Sequence, residues 1–386
     1  MGRRVKARGW KGGGAMSGRH RFPYRWTLRD ARFTRDKGKV FSCFSCGGGS
    51  TMGYKLAGFD VVGCCEIDPR MAAVYEANHH PRHVYVEDIR DFAKRESYPD
   101  ELYGLDVLDG SPPCSTFSMI GVRERNWGKE KRFREGQKAQ VLDTLFFDFI
   151  ALAARLKPKA VIAENVKGLL LGEARGYVRR IHEEFDKAGY YCRHFLLDAS
   201  RMGVPQERER VFFICVRKDI ASPVLTADGL FDRTIDIDME FDEPPICLGE
   251  FSDFAGSPLD ASTRTFEVYS QRELGDKDFG ELYWRAERRD VSFGAKLLYL
   301  DRPLPTLTAK SGEFTHFHRP VRISRAEITL GSSFPLDFDF GSSSPVYICG
   351  MSVPPVMMAQ VAARVYERLL AKIAGDRHVS GGERQA

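Results

Sequence analysis

The sequence has no run of 18 apolar residues, so no segment reads as a helix crossing a bilayer. Its basic amino terminus lacks an apolar core segment, which argues against a secretory signal. Cysteine is sparse, and its count of nine is odd. Positions 43, 46, 64, 65, 114, 192, 215, 247 and 349 scatter through apolar runs, the usage expected of reduced thiols in a cytoplasmic protein. Cys43 and Cys46 form a C-x-x-C, yet no second pair follows at zinc spacing, so no metal site is expected. No G-x-G-x-x-G register fits residues 47 to 53, which sets a nicotinamide dehydrogenase last among the candidates.

What is present is an ordinary globular composition, 43% hydrophobic and 29% charged, over 386 residues. That length can bury a sizeable core and fits two lobes. The net charge of +5 is unevenly spread. Residues 1 to 39 hold 13 Lys or Arg against Asp30 and Asp36, whereas the remainder carries 45 basic and 51 acidic residues. The basic tail, with Gly12-Gly13-Gly14, reads as disordered over 1–37 and suits a polyanion.

From residue 39 the pattern is strand alternating with helix. Residues 39–46 read as a first strand, with Gly47-Gly48-Gly49 as its turn and a helix over 50–57. A strand over 60–66, a helix opened by Pro69, a strand ending near Val86 and a strand over 105–109 follow. A helix over 140–156, a strand over 160–163, a helix over 177–188 and strands over 191–197 and 211–216 complete the run. Such alternation predicts an α/β protein with a doubly wound, mostly parallel sheet. From about residue 222 it fades into a smaller, irregular domain reaching about residue 300. An amphipathic helix over 354–374 is expected to return to the sheet and bring Ser352 near the glycine turn, leaving 376–386 loose.

Open sheets of this kind bind ligands beyond the carboxyl ends of their strands, and several chemistry-bearing groups fall there. Pro112 and Pro113 fix the backbone in front of Cys114, where the fourth strand gives out. The glycine turn offers backbone amides at a helix start. Glu66 and Asp88 end the second and third strands, where an acid can accept ribose hydroxyls. Together they point to an adenosine-containing cofactor.

Phe44-Ser45-Cys46-Gly47-Gly48-Gly49, Glu66-Ile67-Asp68, Pro112-Pro113-Cys114, Glu164-Asn165-Val166 and Gln206-Glu207-Arg208-Glu209-Arg210 occur in that order. With Arg302-Pro303-Leu304-Pro305-Thr306 and Gly350-Met351-Ser352-Val353-Pro354-Pro355, this resembles the DNA (cytosine-5) methyltransferase family over residues 40 to 374. Two positions depart from that family: Cys46 replaces the first glycine of the turn, and Met351 replaces an asparagine. An amino-directed methyltransferase would place an aromatic after the prolines, where Cys114 stands.

The resemblance implies a Rossmann-like catalytic domain over 38–221, a target-recognition domain over 222–300 and a return segment over 301–375. It implies S-adenosyl-L-methionine as methyl donor, held by Phe44, Cys46, Gly47, Gly48, Gly49, Glu66, Ile67, Asp88, Ile89, Pro113 and Ser352. Cys114 would be the nucleophile, Glu164 would meet cytosine N3, Arg210 would hold O2 and Arg208 would support the site. Duplex DNA would be the substrate, its base flipped outward. Residues 115–138 hold seven Lys or Arg against three Glu, and Ser118, Arg123 and Arg125 are expected to meet DNA there. Residues 224–300 hold 17 acidic and 8 basic residues, so Arg285, Arg288 and Arg289 are the expected contact, or else they neutralise Glu281 and Glu287. A monomer is expected, with a cognate restriction endonuclease encoded nearby as a further partner. A tRNA cytosine-5 methyltransferase and a non-catalytic DNA-binding regulator of the same fold are the alternatives.

Overall fold

The computed structural model describes residues 19–113, 144–172, 174–228, 232–288, 295–309 and 311–382. Its centre is a sheet whose strands β1 (Lys39–Cys43), β2 (Asp60–Cys65), β3 (His83–Tyr85) and β4 (Val107–Gly110) alternate with helices. Between them run α1 (Gly49–Leu56), α2 (Pro69–His79) and the short α3 (Ile89–Phe92) and α4 (Asp100–Tyr103). Then come α5 (Leu145–Leu156), β5 (Ala160–Val166), α6 (Ala174–Lys187), β6 (Tyr190–Asp198) and β7 (Glu209–Arg217). The seven strands lie in the order β3-β2-β1-β4-β5-β7-β6. β7 pairs antiparallel with both β5 and β6, whereas β1 to β5 pair with one another in parallel, so the expected mostly parallel sheet is what forms.

Local signals explain the element ends. Asp68 caps α2 by accepting the Arg70 amide at 2.9 Å, with Pro69 in the first helical position. Strand alternation then divides the core in two. Phe41, Leu108, Val161 and Phe213 face one cluster with Phe92, Phe146 and Phe149. Val40, Val107, Ile162 and Phe212 face a second with Tyr54 and Val361. Each such side chain contributes about 1.5–3 kcal/mol on burial.

The later chain departs from the expected boundaries. β8 (Leu225–Asp228) and β9 (Asp232–Ile235) form a hairpin, and Val224, Ile235, Ile237 and Met239 join the second sheet core. The small lobe therefore does not start at residue 222. Its own core gathers Leu259, Val268, Tyr269, Phe279, Leu282, Tyr283, Leu297 and Tyr299 around α7 (Arg264–Ser270), α8 (Phe279–Glu287) and the pair β10 (Leu297–Leu298) and β11 (Thr315–His316). α9 (Arg325–Gly331), α10 (Pro345–Met351), α11 (Pro355–Val365) and α12 (Ala371–Gly382) follow. A π turn, Tyr366–Leu370, joins the last two, so helix continues to Gly382 where a loose end was expected beyond 375. The stretch Pro345–Asp376 is long and apolar enough to cross a membrane by composition, but 89% of its most apolar window is buried inside the protein.

The amino-terminal expectation also needs correction. Residues 19–37 are packed rather than disordered. Tyr24 and Trp26 are buried, and the Trp26 indole donates to the Ser333 carbonyl at 2.9 Å. The Leu28 and Arg29 amides donate to the Asp337 carboxylate at 2.6 and 3.1 Å. The aromatic content of this segment outweighs its basic charge, since each buried ring gains more than an exposed arginine loses.

Candidate active site

The end of β5 carries the most informative geometry. Glu164 accepts from Arg210 Nε at 2.9 Å, and the two side chains are only 11% and 13% exposed. The antiparallel register of β5 with β7 sets Val166 opposite Arg210 and Glu164 opposite Phe212, which brings the two polar ends together at the strand tips. Burial lowers the Arg210 pKa, and the neighbouring Glu164 partly restores it. Beside them Asn165, 3% exposed, donates through Nδ2 to the Pro112 carbonyl at 3.2 Å. Its Oδ1 accepts the Val166 amide at 2.9 Å. The glutamate–arginine pair is thus tied to the turn that leads into residue 114. Cys114 itself, with Ser118, Arg123 and Arg125, lies outside the described residues.

At the tip of β1 the chain turns sharply. Phe44, Cys46 and Gly48 all adopt left-handed backbone, at φ 55°, 48° and 85°. Cys46 therefore keeps the conformation for which glycine is better suited, at a strain of about 1 kcal/mol or more. Glu66 braces the turn: Oε2 accepts the Cys46 amide at 2.8 Å and Oε1 accepts the Asp68 amide at 2.9 Å. Burial raises the Glu66 pKa, while those amides pull it back. Burial, with Glu66 beside it, pushes the Cys46 thiol up to about 12, so this cysteine is no thiolate nucleophile.

Gly49 opens α1 against the later chain. A Cβ there would stand 2.8 Å from Ser352 Cβ and against the Val353 carbonyl. Ser352 thus lies beside the glycine turn, as the returning helix required, and Gly47 meets Ile348 the same way. Gly49→Ala is expected to lower stability by about 1–3 kcal/mol, because backbone on one side and a helix start on the other leave no route for relief. Thermal unfolding checks it; an unchanged melting temperature would show that the later segment yields. Asp88 caps α3 and holds Arg90 Nη2 at 2.6 Å, with Ile89 buried behind it.

Two residues take roles different from those the sequence suggested. Arg208 is 2% exposed. Its Nη1 donates to the Leu307 carbonyl at 2.7 Å, and its Nη2 to the Gly350 and Ser352 carbonyls, each at 2.9 Å. With these donors committed to backbone, it positions the late segments, while its buried Nε meets no partner in bonding geometry among the described residues. Arg285 is bound by both oxygens of the buried Asp276 carboxylate and lies 3.8 Å from Glu273. It is engaged by Asp276, and Glu281 adds to the electrostatic hold on it, whereas Glu287 is taken by Arg264 at 2.6 Å. Arg288 caps the end of α8, exposed, at φ 53°, and Arg289 lies outside the described residues.

The sequence reading passed over a third group. Asp109 is 1% exposed and takes hydrogen bonds from Ser42 and Tyr54. An acid inside the apolar run 105–109, where strand alternation calls for a core residue, was the available signal.

The residues at the β1 and β2 tips suit a nucleoside-bearing ligand. A buried carboxylate ends β2, a half-buried aromatic begins the β1 turn, and the buried Ser352 hydroxyl, near the Cys46 thiol, meets no partner in bonding geometry among the described residues. Among the described residues no cluster of three metal-ligating side chains occurs.

Comparison with known proteins agrees with this geometry. A family model described as C-5 cytosine-specific DNA methylase matches residues 38–367. The Type II methyltransferase M.NgoPII of Neisseria gonorrhoeae is 36% identical over 182 residues, 47% of this chain and 49% of that protein. The chain spans about half the length of this and several other curated relatives. The Type II methyltransferase M1.HphI of Haemophilus parahaemolyticus is 26% identical over 83% of this chain and 85% of its own. A putative DNA modification methyltransferase encoded within an E. coli prophage shares the fold at TM-score 0.58 and 20% identity, over 86% of this chain and 99% of that one. A Spodoptera frugiperda DNMT2 mutant does so at 0.54 and 16%, over 87% and 99%.

Proposed function

The chain belongs to the family of C-5 cytosine-specific DNA methylases, and from that premise we propose that it methylates carbon 5 of a flipped-out cytosine in a specific duplex DNA sequence. The observation that carries this is the Glu164–Arg210 pair, tied through Asn165 to Pro112, two residues before Cys114 in the sequence.

Carbon 5 of cytosine is a weak nucleophile. Addition of the Cys114 thiolate to carbon 6 breaks ring aromaticity and makes carbon 5 enamine-like. Negative charge gathers on N3 as the thiolate adds, and the Glu164 carboxyl hydrogen-bonds it there. Arg210 orients that carboxyl and offers guanidinium donors to cytosine O2. Once carbon 5 carries the new methyl, its proton passes to solvent water and the carbon 6–sulfur bond breaks, which returns the Cys114 thiolate and restores the ring.

S-adenosyl-L-methionine, when bound, supplies a methyl group on positive sulfur. Phe44 and Pro113 would line its adenine, Glu66 its ribose, Asp88 and Ile89 the adenine edge, and Ser352 the far side of the glycine turn. A base within a duplex cannot reach residue 114, so the nucleotide must leave the stack, with the 115–138 segment and Arg288 as candidate backbone contacts. The protein would act as a monomer in the cytoplasm, within a restriction-modification pair.

The test uses duplex DNA of mixed sequence carrying 5-fluorocytosine, with S-adenosylmethionine. Fluorine at carbon 5 blocks the final proton loss, so a protein–DNA adduct surviving denaturing gel is expected. An adduct on tRNA alone would move the substrate to RNA. No adduct on either would favour a non-catalytic regulator of the same fold.

A further inference from the structure

One buried carboxyl lies next to this site without a part in the chemistry. Asp109 sits in β4, five residues before Cys114, and is 1% exposed. Its Oδ2 accepts the Ser42 hydroxyl at 2.7 Å, and its Oδ1 accepts the Tyr54 hydroxyl at 3.2 Å. Ser42 is its own register partner on β1, two residues before Phe44; Tyr54 comes from α1, the helix that the glycine turn opens. One side chain therefore joins the strand leading to the nucleophile, the strand leading to the donor turn and the helix behind that turn.

The surroundings make this an expensive arrangement. Asp109 pairs with Ile162 on β5, so Glu164, two residues on, shares its face of the sheet. Arg210 serves Glu164, and among the described residues no cation pairs with Asp109. Burial pushes its carboxyl up to about 7; the Ser42 and Tyr54 hydroxyls hold it down, and Glu164 adds to the rise. Cys43 and Tyr75 also feel its charge, and both are buried. An apolar residue of similar size would cost the fold less, and groups kept at such a cost cluster where geometry must be exact to within fractions of an ångström.

Taking the methyltransferase reading as its basis, we propose that Asp109 is a positioning residue that holds β4 and the Pro112–Pro113 turn at its end in register with the Phe44–Gly49 turn, on which the meeting of nucleophile and methyl donor at one cytosine depends. It touches no reacting atom and acts through Ser42 and Tyr54.

Asp109→Asn preserves the shape and one carbonyl acceptor; Asp109→Ala removes both anchors. Both variants and wild type are compared in single-turnover methyl transfer, in the rate of 5-fluorocytosine adduct formation per trapped site, and in thermal unfolding at pH 6 and pH 8.5. A misplaced reacting pair loses rate on the order of 10- to 100-fold, so that loss is expected in both variants, with KM for DNA unchanged.

Stability should move the other way for the asparagine variant. A carboxyl whose folded-state pKa is raised, here to about 7, retains its proton in the native state, so wild-type stability falls as pH climbs from about 4 through 7. Asparagine escapes that loss, and at pH 8.5 its melting temperature should equal or exceed that of wild type, with the advantage shrinking at pH 6. A purely structural role would lower rate and melting temperature together. Wild-type rates per trapped site in Asp109→Asn would overturn the proposal while leaving the methyltransferase reading intact. Absence of any adduct with wild type would overturn both.

Discussion

Cys114→Ser is expected to reduce methyl transfer by on the order of 10⁶, the scale on which removal of a covalent nucleophile acts. The reason lies in the leaving proton. A thiol ionises near neutrality once a cationic or polar site favours it, and its sulfur is strongly nucleophilic. A serine hydroxyl needs a base to give up its proton. The carboxyl described at the end of β5, Glu164, is already held by Arg210 at 2.9 Å and so is not free to serve as that base. Binding should survive, because phosphate contacts and the recognition lobe do not involve the thiol. Electrophoretic shift at equal salt measures it. Retained turnover in Cys114→Ser would remove the covalent mechanism, and lost binding would mean that the Pro112–Pro113 turn, not the sulfur, had been disturbed.

The eight other cysteines offer no substitute. All are free thiols, and seven of them, Cys43, Cys46, Cys64, Cys65, Cys215, Cys247 and Cys349, are driven upward in pKa by burial. Cys192 is the exception, lowered by its neighbours Cys215 and His182 against the effect of burial. It lies on β6, at the far edge of the sheet from β1, so its reactivity belongs elsewhere.

What the sequence disclosed and what it withheld follow from the range of the forces involved. Strand ends were legible because alternating helix and strand, closed by glycine or proline, is a local signal, and the Glu66 and Pro112–Pro113 positions fall where that signal places them, whereas β5 runs on through Glu164 to Val166. The antiparallel entry of β7 was not legible from its composition, although it is what aligns Arg210 with Glu164. Residues 19–37 misled for a similar reason: their charge is visible in the sequence, whereas the Ser333 carbonyl and the Asp337 carboxylate that receive them lie about 300 residues away. The partner of Arg285 was hidden in the same manner, since the sequence shows its clustering with Arg288 and not its pairing with Asp276, nine residues earlier.

Arg208 shows the same lesson with the larger energetic consequence. In the sequence it stands two residues from Arg210 and looks like its companion in catalysis. In the fold it is a buried fork whose donors reach Leu307, Gly350 and Ser352, stitching the start of β7 to both late segments. Burial lowers its pKa strongly, with the Arg210 charge adding to the effect, so the fold pays to hold it there. Arg208→Met would fill the volume but leave three buried carbonyls without donors, at roughly 1–3 kcal/mol each before relaxation. A net loss of about 4 kcal/mol is expected, or roughly 5 °C in melting temperature for a chain of this length. Arg208→Lys should recover only part of it, because an ammonium cannot span the fork. Release of the 350–352 segment would also loosen Ser352 beside Gly49, so KM for the methyl donor should rise more than kcat falls. Wild-type stability with a collapsed kcat would instead return Arg208 to the catalytic group.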